Sequence, residues 1–473
     1  MPTHRSATLR TLARALILAL GGGVLTGTGA AAATTHVRHT QPTRPDGATV
    51  TITNCNDSGP GSLRDAMASV TNNSIILFDS LPCSTITLTT GALTDPNVDS
   101  LQLLATPHLV AGRPVPAVTI DGNGNDRVID HESGGSLELQ GLALRNGHAN
   151  DGKGGCLYSA GHVKATAVTV SNCVAAAVGT GDALGGGIAS NDAIELHFST
   201  ISGNSAQANA GGYAYGGGVF TRYGLYAAYS TISGNTATGF GYGGGASVLG
   251  YAQVYSTLVS GNTASYGAGL ALFGGSVGAG DLRIANSTIA QNHATGFAAG
   301  IEAGGPLQVF SSTIAANTGD HASNAAGIVI EGANTLQLVS TIVATNTQAG
   351  VAHDISGPST ISGSVNLVGV SAVALPPDTL SSNPMLGALA DNGGQSLTMR
   401  LLPGSPAIDA GDNPTLTHCD QRAGSYQLNG AWSARFLRLN GSAPDIGAFE
   451  SGSGDLIFVS GFERPFALLC HSL

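Results

Sequence analysis

The chain has 473 residues, a formal net charge of −11 and only 10% charged residues. This acidic composition lacks the basic patches with which proteins bind nucleic acid, so we expect no nucleic-acid partner. Beyond the N-terminus no run of about 18 apolar residues occurs, so we expect no transmembrane helix in the mature chain. Apolar residues instead alternate with Ser, Thr, Asn and Gly, a pattern typical of strands and turns.

Residues 1–33 are predicted to be a secretory signal peptide. Three arginines precede an apolar stretch at 15–25, and small residues suited to signal peptidase follow at 30–33. We therefore expect export to the extracellular space or the bacterial outer cell surface. Export would place the 6 cysteines in an oxidising compartment. Sequence leaves about fifteen pairings open, and position along the chain suggests Cys55–Cys83, Cys156–Cys173 and Cys419–Cys470.

Residues 34–114 are predicted to form an N-terminal cap with a short amphipathic helix. Leu63, Ala66 and Met67 form an apolar pattern, and Ser62 and Asp65 have capping-box spacing. Such a helix would cover the strand edges at the first coil of a solenoid. The segment at 61–66 resembles the N-terminal domain named for a Cys-Ser-Leu-Arg-Glu-Ala motif, although Gly and Asp replace its Cys and Glu.

Residues 115–370 repeat a short phrase that ends in Asn about every 25–32 residues. The phrase Ser-Thr-Ile-Ser-Gly-Asn at 199–204 returns unchanged at 230–235. A period of this length indicates a solenoid or an array of repeats. The repeated residues are Asn146, Asn172, Asn204, Asn235, Asn262, Asn292, Asn317 and Asn346.

Each repeat has the apolar spacing of strands. Ile194, Leu196 and Ile201 illustrate it: an aliphatic residue precedes the Asn, and apolar residues lie five and seven positions earlier. Positions at odd offsets from this aliphatic residue are predicted to face inward and those at even offsets outward, a period of two that is typical of strands. Each repeat also carries a Gly-rich phrase, such as Gly185-Gly186-Gly187-Ile188, whose glycines allow a turn before another short strand.

One repeat cannot bury its own apolar residues, whereas stacked repeats can, because strands of successive coils pair about 4.8 Å apart. The predicted fold is therefore all-β: a right-handed parallel β-helix (solenoid) with N- and C-terminal capping regions. The recurring Asn is predicted to lie at a bend, where it tolerates the left-handed conformation, and to bond to its copies along the axis. The repeats resemble those of exported bacterial right-handed parallel β-helix proteins, which implies a fold and not an activity.

Residues 371–473 are predicted to form a C-terminal cap and tail. Three spaced motifs, at 392–412, 419–422 and 445–450, resemble the choice-of-anchor domain that closes many bacterial β-helix surface proteins. The resemblance implies an exported protein with a variable C-terminal sorting signal. The tail at 455–463 resembles short tails of secreted proteins from some proteobacteria, and it is too short to span a membrane.

Motifs that would identify an enzyme are incomplete. The Gly-His-Gly and Arg-Ile-Lys motifs of pectin hydrolases are absent. The stretch from Asp121 to Glu132 has calcium-loop spacing, but Asp126 occupies the position of the loop glycine, so we predict a polar turn and no metal site. We identify no nucleophile elbow between a strand and a helix, no phosphate-binding glycine loop before a helix and no Cys-x-x-Cys motif, and we expect no cofactor.

The outward strand positions hold the best candidates for binding. Counting alternate positions on successive repeats places five polar or aromatic side chains on one strand face: Glu195, His197, Tyr226, Tyr255 and Arg283. Tyrosine rings stack on pyranose rings, and a base beside a cation would in principle support β-elimination. A bland interpretation is a solvated face on which Lys164 and Glu195 form a weak pair. Tyr229, at an odd offset, is expected to point inward.

The predicted function is structural, adhesive or glycan- or partner-binding, in a secreted or surface-displayed monomer without a complete catalytic motif. The alternative is a polysaccharide lyase or glycoside hydrolase that uses the outward strand face. Such enzymes need two or three close carboxylates, or a cation with a bound metal. The candidate acids are scattered along the sequence: Asp182, Asp192, Glu195, Asp281 and Glu302. The identity of the partner and the means of anchoring stay open.

Overall fold

The computed structural model describes residues 47–96, 98–274, 281–413, 419–423, 438 and 441–452. Within these residues the chain forms four long sheets of mostly parallel strands, two short antiparallel hairpins and one helix, α1, at Leu63–Ala68. The predicted signal peptide and Cys470 lie outside the described residues.

Successive coils contribute strands to each sheet in turn. The first sheet contains, in order, Thr49–Thr51, Ser74–Leu77, Ser100–Leu104, Ser136–Gln140, Val163–Thr166, Ala193–His197, Gly224–Ala228, Tyr251–Tyr255, Leu282–Ala285, Leu307–Phe310, Thr335–Val339 and Thr360–Ser364. The second contains Thr85–Thr87, Val118–Asp121, Leu142–Arg145, Thr169–Ser171, Thr200–Ser202, Thr231–Ser233, Leu258–Ser260, Thr288–Ala290, Thr313–Ala315, Ile342–Ala344 and Leu367–Val368.

Two further sheets complete each coil. The third contains His148–Ala149, Val174–Ala176, Ser205–Gln207, Thr236–Thr238, Thr263–Tyr266, His293–Phe297, Thr318–Gly319, Thr347–Gln348 and Val351–Ala352, joined by Ala183–Leu184, Tyr213–Tyr215 and Phe240–Tyr242. The fourth contains Leu93–Thr94, Ile129–His131, Leu157–Ser159, Ile188–Ser190, Val219–Thr221, Ala246–Val248, Leu270–Leu272, Ile301–Ala303, Ile328–Ile330 and Ile355–Ser356. The N-terminal hairpin is His108–Val110 with Arg113–Val115, and the C-terminal hairpin is Leu386–Ala390 with Thr398–Leu401.

Neighbouring coils align their aliphatic residues. In the second sheet Val170 pairs with Ile201, and Ile201 pairs with Ile232; all three are fully buried. In the first sheet Ile194 and Leu196 are buried on either side of a half-buried residue. Full burial of such a side chain contributes about 1.5–3 kcal/mol, so this shared apolar interior is the main source of stability. The prediction of a parallel β-helix is confirmed.

The repeated Asn forms a buried ladder of hydrogen bonds along the axis. The Nδ2 of Asn235 donates to the Oδ1 of Asn262 and to the carbonyl oxygen of Ile201, each over 3.0 Å. The backbone N–H of Asn235 donates to the same Oδ1 over 2.9 Å. Equivalent bonds recur at Asn204, Asn262, Asn292, Asn317 and Asn346. The repeated phrase therefore builds the corner of the coil.

The left-handed conformation falls on the residue before the ladder Asn. Gly203 and Gly234 have φ values of 65° and 63°. Asn146 and Asn172, with φ values of 54° and 56°, align with Gly203, because the strands before them pair in register. Those two residues therefore lie in the bend and not in the ladder. The alignment on Asn is wrong for them, because it ignores a one-residue difference in spacing after the strand.

The Gly-rich phrase and the Asn ladder depend on each other. Gly216 has a left-handed φ of 66° at the turn. A Cβ on Gly217 would overlap the carbonyl oxygen of Gly244 in the next coil, and a Cβ on Gly218 would lie 2.9 Å from the amide carbon of Asn235. A side chain is thus excluded at Gly216 by the backbone conformation of the turn, at Gly217 by the spacing of neighbouring coils, and at Gly218 by the Asn ladder.

Asp354 ends the Asn ladder. The groups that face its side chain are all hydrogen-bond donors, so this last position requires acceptors only. Its Oδ1 accepts from the backbone N–H and the Nδ2 of Asn346 over 2.9 and 2.8 Å, and its Oδ2 accepts from the N–H of Val370 over 2.8 Å. An Asn here would turn its amide group toward the Val370 donor.

We therefore expect Asp354→Asn to lower the free energy of unfolding by about 1–3 kcal/mol at neutral pH, the cost of an unsatisfied buried group. Burial raises the pKa of Asp354, so wild-type stability should fall as the pH rises through that raised value, and the variant should lack this dependence. Urea unfolding at several pH values measures both effects. Asp378→Asn, which alters an exposed bond to Val365, is the matched control. An Asp354→Asn variant as stable as this control would contradict the expectation.

The parallel pairing of strands begins well before residue 115. Thr49–Thr51 pairs in parallel with the strand at 74–77, so coils are present within 47–114. In α1, the Oγ of Ser62 accepts from the N–H of Asp65 over 3.2 Å, and the apolar side of the helix is buried in the main core.

The C-terminal hairpin packs against the outward side of the second sheet. Its Met399 lies in one buried cluster with Ala290 and Ala315. Leu380 instead pairs with Leu367 of the last coil. The described residues after 371 therefore cover both the end and one flank of the solenoid.

Two distant C-terminal motifs meet in a buried network. The guanidinium of Arg422 donates to the carboxylate of Asp420 through Nε over 2.9 Å and Nη2 over 2.5 Å, and to the carbonyl oxygen of Glu450 over 2.7 Å. The N–H of Asp445 donates to the carboxylate of Glu450 over 2.9 Å. All four residues are buried, so the motifs join segments 419–423 and 441–452.

Two of the three suggested disulfides are confirmed. Cys55 is bonded to Cys83 and Cys156 to Cys173, with Cα–Cα distances of 6.5 and 5.4 Å. Cys173 takes the ladder position in its coil, because its N–H donates to the Oδ1 of Asn204 over 3.0 Å. This disulfide therefore lies at the N-terminal end of the Asn ladder.

Candidate functional site

The predicted binding residues lie on the outward side of the first sheet. Glu195 pairs in register with Tyr226, Tyr226 with Gln253, and Gln253 with Arg283. His197 and Tyr255 occupy the next outward row, with Ala228 of the intervening coil between them. The structure thus groups four of the predicted residues, while Arg283 lies three coils from Glu195.

Glu195 lies between two imidazoles, one of which the sequence interpretation missed. Its Oε1 is 3.5 Å from the Nε2 of His162, and its Oε2 is 3.6 Å from the Nε2 of His197. The two imidazoles hold the pKa of the Glu195 carboxyl well below its ordinary value. The Glu195 side chain keeps 37% of its exposure, so an ionised carboxylate faces solvent.

Tyr251 forms a flat aromatic platform beside this carboxylate. A Cβ built on Gly224, its partner in the neighbouring coil, would overlap three atoms of the Tyr251 ring. The ring therefore lies across the backbone of that coil, and the residue is half-buried. Burial, and then the carboxylates of Glu195 and Asp192, raise the pKa of the Tyr251 hydroxyl. The sequence signal was available: a Gly directly opposite a Tyr in adjacent repeats.

Further rings extend the aromatic surface along the axis. The rings of His197 and Tyr226 lie 5.2 Å apart, and those of Tyr226 and Tyr255 lie 5.7 Å apart. Burial, then Tyr255 and then Glu195, raise the pKa of Tyr226. These tilted pairs are the usual arrangement of neighbouring aromatic side chains.

Tyr229 is buried, but in a small cluster apart from the main core. It has a left-handed φ of 53°, and its ring stacks on Phe198 at 5.0 Å. Both belong to a small cluster against which Tyr226 and Tyr255 pack. The corner conformation turns Tyr229 out of the strand alternation, so the period of two fails there. The cluster that contains Tyr229 thus forms the buried layer against which Tyr226 and Tyr255 pack.

The cations of this face are engaged elsewhere. Lys164 is bonded to Glu138 over 2.8 Å, and no ion pair to Glu195 is formed by it within the described residues. The guanidinium of Arg283 lies 4.9 Å from the centre of the Phe310 ring. The Glu195 carboxylate is therefore flanked by two imidazoles and tyrosine rings, while Lys164 of the neighbouring coil is paired with Glu138.

Among the described residues, no group of three or more His, Cys, Asp or Glu side chains is arranged to hold a metal ion. No helix in the described part of the chain is long and apolar enough to cross a membrane.

Comparisons with known proteins give little further information. No family model matches the sequence, and no curated protein matches it. Among solved structures, the chain is similar to the crystal structure of pectate lyase Pel9A, at 13% identity and a TM-score of 0.42, over 86% of this chain and 97% of that one. A similarity this low carries no argument about activity, and the fold rests on the strand pairing described above.

Proposed function

We propose that this protein is an exported β-helix protein that binds an extended glycan along the outward side of its first sheet. The Tyr251 ring, laid flat across Gly224 beside the Glu195 carboxylate, is the observation that carries the proposal. The accessible part of this half-buried ring supplies a stacking surface for a sugar, and an adjacent carboxylate accepts hydrogen bonds from sugar hydroxyls.

The geometry of the solenoid suits an extended chain. Successive coils lie about 4.8 Å apart, which is close to the length of one pyranose residue in an extended polysaccharide. A glycan lying parallel to the axis would therefore meet one rung of side chains per sugar. Glu195, Tyr226, Gln253 and Arg283 follow one another on successive coils. They form a row of polar and aromatic side chains of the kind that glycans contact.

The sequence features of export support the same function. The signal-peptide pattern at 1–33 and the two disulfides fit an extracellular protein. We propose that residues 34–114 and 371–473 are the terminal capping regions, that the latter acts as a choice-of-anchor-like domain, and that the mature protein is a monomer. Cell fractionation is the direct test of attachment.

Binding without cleavage fits the chemistry of the site better than catalysis. A general base works best when its pKa lies near the operating pH. The His162 and His197 imidazoles lower the pKa of Glu195, which makes its carboxylate a weak base. The polysaccharide lyase alternative predicts unsaturated products from polyuronates with calcium, and we expect none.

Gly224→Ala is expected to weaken glycan binding about tenfold while leaving stability nearly unchanged. Gly224 is outside the left-handed region, so its backbone accepts Ala, but the new Cβ would displace the Tyr251 ring. An array of neutral, acidic and amino hexasaccharides identifies a bound class, and calorimetry with that hexasaccharide measures the loss.

A double-mutant cycle provides the control for this prediction. Tyr251→Ala should weaken binding by a similar factor, and adding Gly224→Ala to it should have no further effect, because the displaced ring is already gone. Full additivity of the two losses would contradict the platform role of Tyr251. An array without any bound hexasaccharide would overturn the proposed function itself.

A further inference from the structure

We infer that the glycan bound at this site carries free amino groups, as in polymers of 2-amino-2-deoxyhexose. This inference rests on the proposed function and specifies the chemical class of its ligand. The sugar ring would stack on Tyr251, and its ammonium group would pair with the Glu195 carboxylate.

The carboxylate of Glu195 is available to a ligand. The two imidazole nitrogens lie 3.5 and 3.6 Å from its oxygens, longer than the 2.7–2.9 Å typical of strong charged hydrogen bonds. An ionised carboxylate accepts about four hydrogen bonds. An ammonium group, with three donors and a full charge, satisfies that capacity better than a neutral hydroxyl does.

The aromatic surroundings favour a cation for an independent reason. A cation near the face of a Tyr ring is attracted by the ring's quadrupole. Tyr226 pairs in register with Glu195, and the Tyr251 ring lies over Gly224, which pairs with Ala193, between Asp192 and Ile194 in the chain. The carboxylates of Glu195 and Asp192 both raise the pKa of the Tyr251 hydroxyl. A sugar ring on Tyr251 would therefore place its amino group among two carboxylates and a second aromatic ring.

The remaining charges on this face do not favour an anionic glycan. Lys164 is neutralised by Glu138 at 2.8 Å. Arg283 lies three coils from Glu195 and packs over Phe310. The formal net charge of −11 would repel a polyanion and attract a polycation at long range.

Calorimetry with three hexasaccharides tests the inference: a glucosamine hexamer, its fully N-acetylated form and cellohexaose. The exported, disulfide-bonded protein is used at low ionic strength and a pH at which the amines are charged. We expect the glucosamine hexamer to bind at least about tenfold more tightly than the other two, the factor typical of a charge-assisted hydrogen bond.

Glu195→Gln removes the charge and keeps the shape. It should reduce glucosamine-hexamer affinity about tenfold and change cellohexaose affinity less than threefold or so. Glu138→Gln is the matched control, since Glu138 is an outward carboxylate of the same sheet that is held by Lys164 and Gln102, and it should change neither affinity. Asp192→Asn is a second test variant with the same expected selectivity, in case Glu195→Gln alters folding.

The outcomes separate the two levels of the proposal. Equal affinity for the three hexasaccharides, or preferential binding of an acidic hexasaccharide, would overturn the amino-glycan inference while leaving glycan binding intact. No binding of any hexasaccharide would overturn both. An equal loss with Glu195→Gln and Glu138→Gln would also overturn the inference, because it would indicate a general charge effect.

Discussion

Replacing Asn262 with Ala is expected to lower the free energy of unfolding by about 4 kcal/mol, because several buried polar groups lose a partner at once and each costs ~1–3 kcal/mol. The Oδ1 of Asn262 accepts from both the N–H and the Nδ2 of Asn235. Its Nδ2 donates to the carbonyl oxygen of Ile232 and to the Oδ1 of Asn292. All of these bonds are buried, so the groups that lose a partner are shielded from bulk water.

Hydrogen exchange followed by mass spectrometry measures this loss coil by coil, which suits a solenoid whose coils need not unfold together. Protection should fall most in peptides that contain Asn235 and Asn292. Asn209→Ala is the matched control: its Nδ2 makes one bond to the carbonyl oxygen of Ala177 over 2.8 Å, and we expect a loss of about 1 kcal/mol. Similar losses in the two variants would mean that the ladder is not a major source of stability.

Replacing Asp420 with Ala is expected to destabilise the C-terminal region by about 3–5 kcal/mol, the cost of removing one partner of a buried ion pair. The side chains of Asp420 and Arg422 are 0% and 3% exposed. Without the carboxylate, the buried guanidinium of Arg422 loses the negative charge beside it. The backbone N–H of Glu450 also loses its acceptor. The effect should be local, because these residues cover one flank of the solenoid.

Limited proteolysis and hydrogen exchange over 386–452 measure this effect, with the peptides around Asn262 as an internal reference. The matched control is Asp391→Ala, which removes an exposed ion pair to Arg113 with 34% and 56% side-chain exposure; such pairs contribute about 0–1 kcal/mol. Loss of protection throughout the coils in Asp420→Ala would contradict a local role. Unchanged protection over 386–452 would contradict the importance of the pair.

The candidate site was predictable only in part. Glu195 and Tyr226 follow from the period of two and the repeat length, because register carries one outward row across successive coils. His162 and Tyr251 were missed, since they lie just outside the two rows that were counted and contribute through side-chain direction. The position of the Tyr251 ring depends on the free space above Gly224, a contact between residues of different coils.

The corner residues show a second limit of periodicity. Tyr229 has an odd offset from the strand and should be buried in the core if the strand continued. A left-handed backbone at the corner ends the alternation, and the ring joins the outward cluster with Phe198. Offsets counted across a bend therefore do not predict the direction of a side chain.

The amino-acid sequence by itself determined the parallel coils, the buried aliphatic positions and the stacked Asn residues, because each depends on a local pattern repeated at nearly constant length. Only the tertiary structure decided which coil begins the ladder, how the motifs around Asp420 and Asp445 meet, and which rings and carboxylates share one face. These features arise from contacts between segments far apart in the chain, and their geometry depends on packing and backbone direction that no short pattern specifies.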